Sequence, residues 1–247
     1  MKAEKRSKRG KKVAIIATTI FCIVIVFIIV LKNIMISNVH AERELEQIKA
    51  AKVGDYVSFG TYEQDSNTSN GEEDIEWLVL EVADRKALVI SKYALDCKQY
   101  NTSYTCVTWE NCSLRKWLND DFVNIAFSYA EKAMISTVTV PADKNPKYSI
   151  SSGNTTQDKV FLLSITEVNK YFKSDSERKC KATAYAVADG AWVSNDNSSC
   201  LWWLRSPGRY EFDASYVYND GSVLEHGSYV DLTHNAVRPA LWIDLNS

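Results

Sequence analysis

The longest apolar stretch in the chain is Val13 to Leu31, nineteen residues without a charge directly behind a start segment holding seven lysines and arginines. A helix rising 1.5 Å per residue covers about 28 Å over that run, close to the roughly 30 Å of hydrocarbon a single span must cross. The pattern predicts a basic segment over residues 1–12 and a transmembrane helix over 13–31. By the positive-inside rule Lys2, Lys5, Arg6, Lys8, Arg9, Lys11 and Lys12 stay cytoplasmic. The expected topology is therefore a single-pass signal anchor in the cell membrane, N-terminus inside and the folded part extracytoplasmic. A cleaved signal peptide is the competing reading, because Val39 and Ala41 offer small residues to a peptidase. Against it, the run exceeds the roughly 7–15 residues of a signal h-region, and Lys32 separates it from the cut.

Beyond the span the pattern changes twice. Residues 39–52 are good helix formers with Ala41, Leu45 and Ile48 on one stripe, which predicts a helical stalk over 32–52 ending near Gly54. Fewer than two heptads are present, so the stalk reads as a monomeric spacer rather than a coiled coil. From residue 53 to 247 the apolar positions fall into short runs, and about 190 residues with abundant aromatics suffice for one core. Ile75 to Val82 and Ala87 to Ser91, joined by Ala83-Asp84-Arg85, predict a hairpin. Ala214 to Tyr218 and Ser222 to Glu225 predict another around Asn219-Asp220-Gly221, where an Asp-Gly pair suits a tight turn. A last strand over Val237 to Asp244 contains Pro239, whose missing donor suggests an edge or a bulge.

Two helices have their own signatures. Leu114, Trp117, Leu118, Phe122 and Ile125 recur at three- and four-residue spacing behind Asn111 or Ser113 as N-cap. Ser164 and Glu167 form a Ser-x-x-Glu capping box ahead of Val168, Tyr171 and Phe172. Residues 65–74 and 141–158 read as loops. The fold class is α+β, short antiparallel strands with two main helices, preceded by one transmembrane helix.

Charge separates the compartments: residues 1–32 hold eight basic and one acidic side chain, and the rest hold 21 basic and 30 acidic, +7 against −9. An acidic domain without a basic stripe is a poor partner for nucleic acid, so none is expected. The basic start serves the membrane.

Six cysteines occur: Cys22 in the span, and Cys97, Cys106, Cys112, Cys180 and Cys200 in the outer part, where disulfides persist. A Cys180–Cys200 disulfide would close a loop just before Trp202-Trp203, and two of the other three could form a second. With no CxxC spacing and only three histidines, no structural metal is expected. Asp213, Asp220, Asp231 and Asn219 could supply oxygen ligands to calcium, though not at EF-hand spacing.

The residues also carry a resemblance. Gly54-Asp55 with Phe59-Gly60 and Gln64-Asp65, then Trp109-Glu110-Asn111-Cys112 leading into Leu114 to Asn119, then Trp202 to Gly208 and Val237 to Trp242, resemble an uncharacterised domain family of Gram-positive bacterial surface proteins. The order of the last elements is similar to the C-type-lectin-like fold of formylglycine-generating enzymes and retroelement-diversified binding proteins. The resemblance implies a domain of unknown function and an exported location, without an activity. Related sequences usually place glycine before Val-Arg-Pro, whereas this chain has Ala236, so a positive φ there is not expected.

No phosphate loop, H-E-x-x-H or G-x-S-x-G occurs. A formylglycine-generating-type oxidase would need paired reactive cysteines near the closing strands, which Cys200 alone does not supply. Asp120 and Asp121 read as solvated charge following a helical turn. No catalytic residue and no cofactor are expected. For binding, Arg209, Tyr210, Asp213, Tyr216, Tyr218, Asp220 and Tyr229 crowd loops and hairpin edges, and tyrosine with arginine suits peptides or glycans. The alternative is that alternate tyrosines pack on a second sheet face. Arg205 and Arg238, inside strand motifs, are expected to hold structural carboxylates or carbonyls. The sequence therefore reads as a membrane-anchored binding module for a protein, peptide or carbohydrate at the cell surface. An envelope-acting enzyme and a structural spacer of an envelope assembly are the alternatives.

Overall fold

The computed structural model describes residues 2–196 and 198–247, with side chains from Ile20 onward. The chain forms two compact units, Met1–Arg43 and Glu44–Ser247.

Helix α1 (Lys2–Ala50) supplies the first unit and the first residues of the second. Among the described residues one helical stretch, Ile20–Ala50, is long and apolar enough to cross a membrane. Its side chains from Ile20 to Leu31 are exposed to a degree that water would penalise heavily. Such a helix serves as a membrane anchor or as a signal sequence. The side chains of the basic segment and of residues 13–19 of the expected span lie outside the described residues.

The second unit is mixed α+β. It opens with Leu45 and Ile48 of the helix, 2% and 1% exposed, so this part of the expected stalk contributes to the core. Strands β1 (Tyr56–Tyr62), β2 (Glu73–Ala83) and β3 (Lys86–Ser91) form a meander. The predicted hairpin turns at Asp84 and Arg85, whose φ values of 50° and 59° are the paired left-handed angles of a type I′ turn. Short β4 (Asp96–Cys97) follows.

Next come α2 (Ser113–Trp117), a five-residue π-turn over Leu118–Phe122, and α3 (Val123–Ala126). The cap is Cys112, whose sulfur accepts the Arg115 N–H, in place of Asn111 or Ser113. The π-turn explains why the predicted stripe holds only in part. Leu114, Leu118 and Phe122 are buried, but the wider turn rotates Ile125 into solvent, 51% exposed, and brings Val123 and Ala126 inward. Helix α4 (Tyr129–Met134) begins with a Ser128/Glu131 capping box. Strands β5 (Val138–Val140) and β6 (Thr156–Asp158) pair with each other, and β7 (Val160–Phe161) leads to α5 (Ile165–Tyr171). The Ser164/Glu167 box is present as predicted. Two further short helices, α6 (Asp175–Arg178) and α7 (Ala184–Ala188), precede the closing strands, so the helices outnumber the two expected.

The closing strands are β8 (Trp202–Pro207), β9 (Asp213–Val217), β10 (Val223–Tyr229), β11 (Ala236–Val237) and β12 (Ala240–Asp244). They build a second five-stranded sheet, β10-β9-β8-β11-β4, and complete the first, β1-β2-β3-β12-β7. The single predicted strand over Val237 to Asp244 is therefore two, and the expected edge position is overturned: both pieces are interior. Pro239 falls at the step where the chain leaves one sheet for the other, a place that requires no ladder donor from it. Ala236 has no positive φ and pairs with Trp202 and Cys97. Trp77, Trp202 and Trp203 are fully buried, and side chains of this size dominate core energetics.

Arg205, in β8, and Arg238, in the link between β11 and β12, hold carboxylates or carbonyls as expected. Arg205, buried, binds Glu167 through both terminal nitrogens, Asp143 at 3.2 Å and the Leu162 carbonyl at 2.9 Å. Arg238 donates to the Ser91 carbonyl at 2.9 Å and lies over the rings of Trp202 and Phe172.

Candidate functional site

Where β8 turns into β9 and β10 passes behind them, two glycines let three backbones meet. Gly227 has φ +77°, and a Cβ there would lie 2.7 Å from the Ala214 carbonyl oxygen; one on Gly208 would lie 2.6 Å from that of His226. The β10–β9 register shifts at this point, between Leu224 and Ser228. The loop is fixed by three backbone bonds: Gly208 N–H to Asp213 at 2.8 Å, Asp213 N–H to Tyr210 at 3.0 Å, and Arg209 N–H to His226 at 2.7 Å. A bulge set against a tight loop re-aims side chains to one side. The result is an open cleft of about 490 Å³ lined by Arg209, Tyr210, Asp213, His226, Tyr229 and Leu232 among others.

The wall is aromatic and exposed. Tyr210 stacks on Phe212 at 5.4 Å, Phe212 lies 6.1 Å from Tyr229, and Tyr104 reaches both Phe212 at 5.0 Å and Tyr229 at 5.4 Å. Tyr104, Tyr210 and Tyr229 are each about half exposed. The guanidinium of Arg209 sits 5.2 Å from the Tyr210 ring centroid.

At the inner end lies Asp213, only 7% exposed, with Oδ1 buried and without a hydrogen-bond partner. Loss of solvent raises its pKa above the ordinary carboxylate range, an effect that the Tyr210 N–H and the charge of His226 partly oppose. A buried acceptor left unmatched is costly and uncommon, so this one calls for an explanation.

A family model matches residues 84–245, well over half of the chain. The chain belongs to the domain of unknown function DUF6273. Its DUF6273 region contains both the aromatic cleft and every site residue expected from the sequence. No curated protein and no solved structure matches the chain.

Four of the seven expected binding residues, Arg209, Tyr210, Asp213 and Tyr229, share the DUF6273 cleft. Three do not. Tyr216 is 9% exposed and packs edge-on against Trp203, the sheet-face role given as the alternative. Tyr218 lines a different cleft of about 610 Å³, where its ring lies nearly parallel to that of Trp192 at 6.5 Å. Asp220 accepts the Ser222 N–H at 2.8 Å within the β9–β10 turn, and these bonds hold its pKa low. Sequence reasoning missed Tyr104, whose loop is polar and lies far along the chain, and His226, which has no periodic neighbour.

The oxygen ligands considered for calcium do not converge. Among the described residues, the acidic side chains close enough to share an ion include Glu63, Asp65 and Glu73, and Asp213, Asp220 and Asp231 are not among them. Asp120 and Asp121 are solvent-exposed, as expected of surface charge.

All six cysteines are thiols, so the expected Cys180–Cys200 disulfide is not formed in this structure. The two are nevertheless neighbours. Cys200 N–H donates to the Cys180 carbonyl at 2.8 Å, and the two side chains are hydrogen-bonded to each other. Burial pushes the Cys180 pKa up, but the Cys200 thiol and the Arg238 charge outweigh it and leave the group below the usual thiol range. Cys97 and Cys112, both buried, and Cys106, exposed, are free thiols, so no second bridge is present among them.

Proposed function

We propose that this chain is a membrane-anchored, extracytoplasmic binding module of a Gram-positive cell surface, recognising a protein, peptide or carbohydrate through the Arg209–Tyr210–Asp213–Tyr229 cleft. The observation that carries the reading is an exposed aromatic wall beside a buried carboxylate with one oxygen unmatched. A domain with no ligand to meet gains nothing from keeping three half-exposed tyrosines and an orphan oxygen together. Tyrosine and arginine supply rigid contact area and directional donors at recognition surfaces. The anchor is the apolar helix, oriented by its basic flank with the acidic unit outside. The fold is taken as C-type-lectin-like, from the order of the closing elements. In an oxidising exterior the adjacent Cys180 and Cys200 would close as a disulfide.

The test uses the full chain in detergent micelles, probed against peptide and glycan arrays in wild-type form and as Tyr210→Ala/Tyr229→Ala. The expected result is selective capture by the wild type and its loss in the double variant at unchanged melting temperature. Capture that survives the double substitution removes the site. Digestion of the folded unit by protease added to intact cells checks the topology.

A further inference from the structure

The Asp213 carboxylate constrains what can sit at the bottom of the cleft. Resting on the reading of this cleft as a binding site, we propose that the ligand is a peptide presenting an ammonium group, a lysine side chain or a free α-amino terminus, to Asp213 Oδ1 between the rings of Tyr210 and Tyr229. Three observations converge on it. Asp213 lines the cleft, is more than nine-tenths buried, and has one oxygen with no donor. Neither cationic neighbour fills that oxygen: the Arg209 guanidinium lies over the Tyr210 ring, and His226, whose charge acts on Asp213, makes no hydrogen bond to Oδ1. The approach to Asp213 is walled by electron-rich rings, Tyr210 and Tyr229 with Phe212 behind them.

An ammonium group satisfies all three conditions at once. It brings three donors to an acceptor that has none, and its charge compensates a carboxylate that burial makes costly to ionise. It also gains from the aromatic faces, whose quadrupole attracts a cation more strongly once water is excluded. A neutral sugar hydroxyl would supply the hydrogen bond but leave the buried charge uncompensated. An anionic group would meet Asp213 directly and is repelled. Arg209 at the rim then suits a carbonyl or carboxylate of the same peptide.

The experiment titrates the full chain in detergent micelles with three capped tripeptides: acetyl-Ala-Lys-Ala-amide, Ala-Ala-Ala-amide with its amino terminus free, and acetyl-Ala-norleucine-Ala-amide as the neutral match. At least one of the two charged peptides is expected to bind tenfold or more tightly than the norleucine peptide, and which one does so identifies the source of the ammonium. Asp213→Asn should erase that preference, and because the comparison among peptides is made on unaltered protein it does not depend on how the variant folds. Equal affinities, or no peptide binding at all, overturn the ammonium proposal. Glycan capture that depends on Tyr210 and Tyr229 in that same protein would leave the cleft as a binding site while removing the ammonium. Absence of any ligand dependent on those tyrosines removes the site itself.

Discussion

Glu167 holds Arg205 through both of its terminal nitrogens while also accepting the Ser164 N–H at 2.9 Å, so one carboxylate ties the start of α5 to the middle of buried strand β8. Arg205 is 1% exposed as a side chain. Truncating Arg205 leaves Glu167, 23% exposed and still held by the Ser164 N–H, without its cation, which costs about 3 kcal/mol, the low end for a buried pair. Arg205→Ala should therefore lower unfolding stability by that order, measured as a shifted denaturation midpoint. Replacing both members together by apolar residues of similar volume should cost much less.

Glu44 and Glu131 form a carboxylate pair that shares a proton. Burial raises the Glu44 pKa to about 9, helped by its hydrogen bond with Glu131, so Glu44 is protonated at neutral pH. Its folded pKa lies above the ordinary value of 4.5. The stability it confers is therefore complete below pH 4.5 and is lost progressively as pH rises towards 9. Glu44→Gln keeps the hydrogen-bonding shape without a titrating proton. Melting temperatures measured from pH 5 to 9 should fall for the wild type relative to this variant, and parallel curves would remove the shared proton.

The cleft depends on a backbone crossing that admits no side chain. At Gly227 a methyl group would meet the Ala214 carbonyl in a left-handed backbone conformation. Gly227→Ala should destabilise the protein by about 1–3 kcal/mol, with Tyr229 displaced and ligand capture reduced. Gly71, also at positive φ but with nothing within 4 Å of its Cβ, is the control for conformational strain alone.

Much of this architecture is readable in the chain because its signals are local. The Asp84-Arg85 hairpin, the Asn219-Asp220-Gly221 turn and the Ser164/Glu167 box each depend on residues a few positions apart. What was illegible depends on partners distant in sequence. Pro239 marks a change of sheet rather than an edge, a distinction that requires knowing that β3 and β7 flank β12. Tyr216 and Tyr218 have the same strand parity, yet one is buried and the other exposed because β9 ends at Val217. Tyr104 joins the aromatic wall only through Phe212 and Tyr229. The Ser128/Glu131 box carries the same local signature as its partner and was available to sequence reasoning, but the short helix behind it offers little apolar stripe.

The Cys180–Cys200 pair gives a chemical prediction. Its backbone hydrogen bond and its touching thiols place the two sulfurs opposite one another on neighbouring segments, and exported chains meet oxidising conditions. Protein extracted from membranes without reductant should show four reactive thiols under denaturing conditions, against six after reduction, out of the six cysteines present. Six in both samples would place the pair among reduced structural cysteines.

Asp213 should separate stability from function. Its folded pKa is raised by burial, so whatever stability it lends is present below the ordinary carboxylate pKa and is lost as pH rises through the folded value. Whenever it is ionised, the buried group is a liability that the fold tolerates. Asp213→Asn, similar in shape and uncharged, should raise stability at pH values where the native carboxyl is ionised. That gain should shrink as pH falls into the range where the native carboxyl is protonated. The same variant should fail to distinguish lysine from norleucine in a peptide. Stabilisation with unaltered ligand preference would mean that the carboxylate is a packing defect; destabilisation at every pH would mean that it is a structural acceptor.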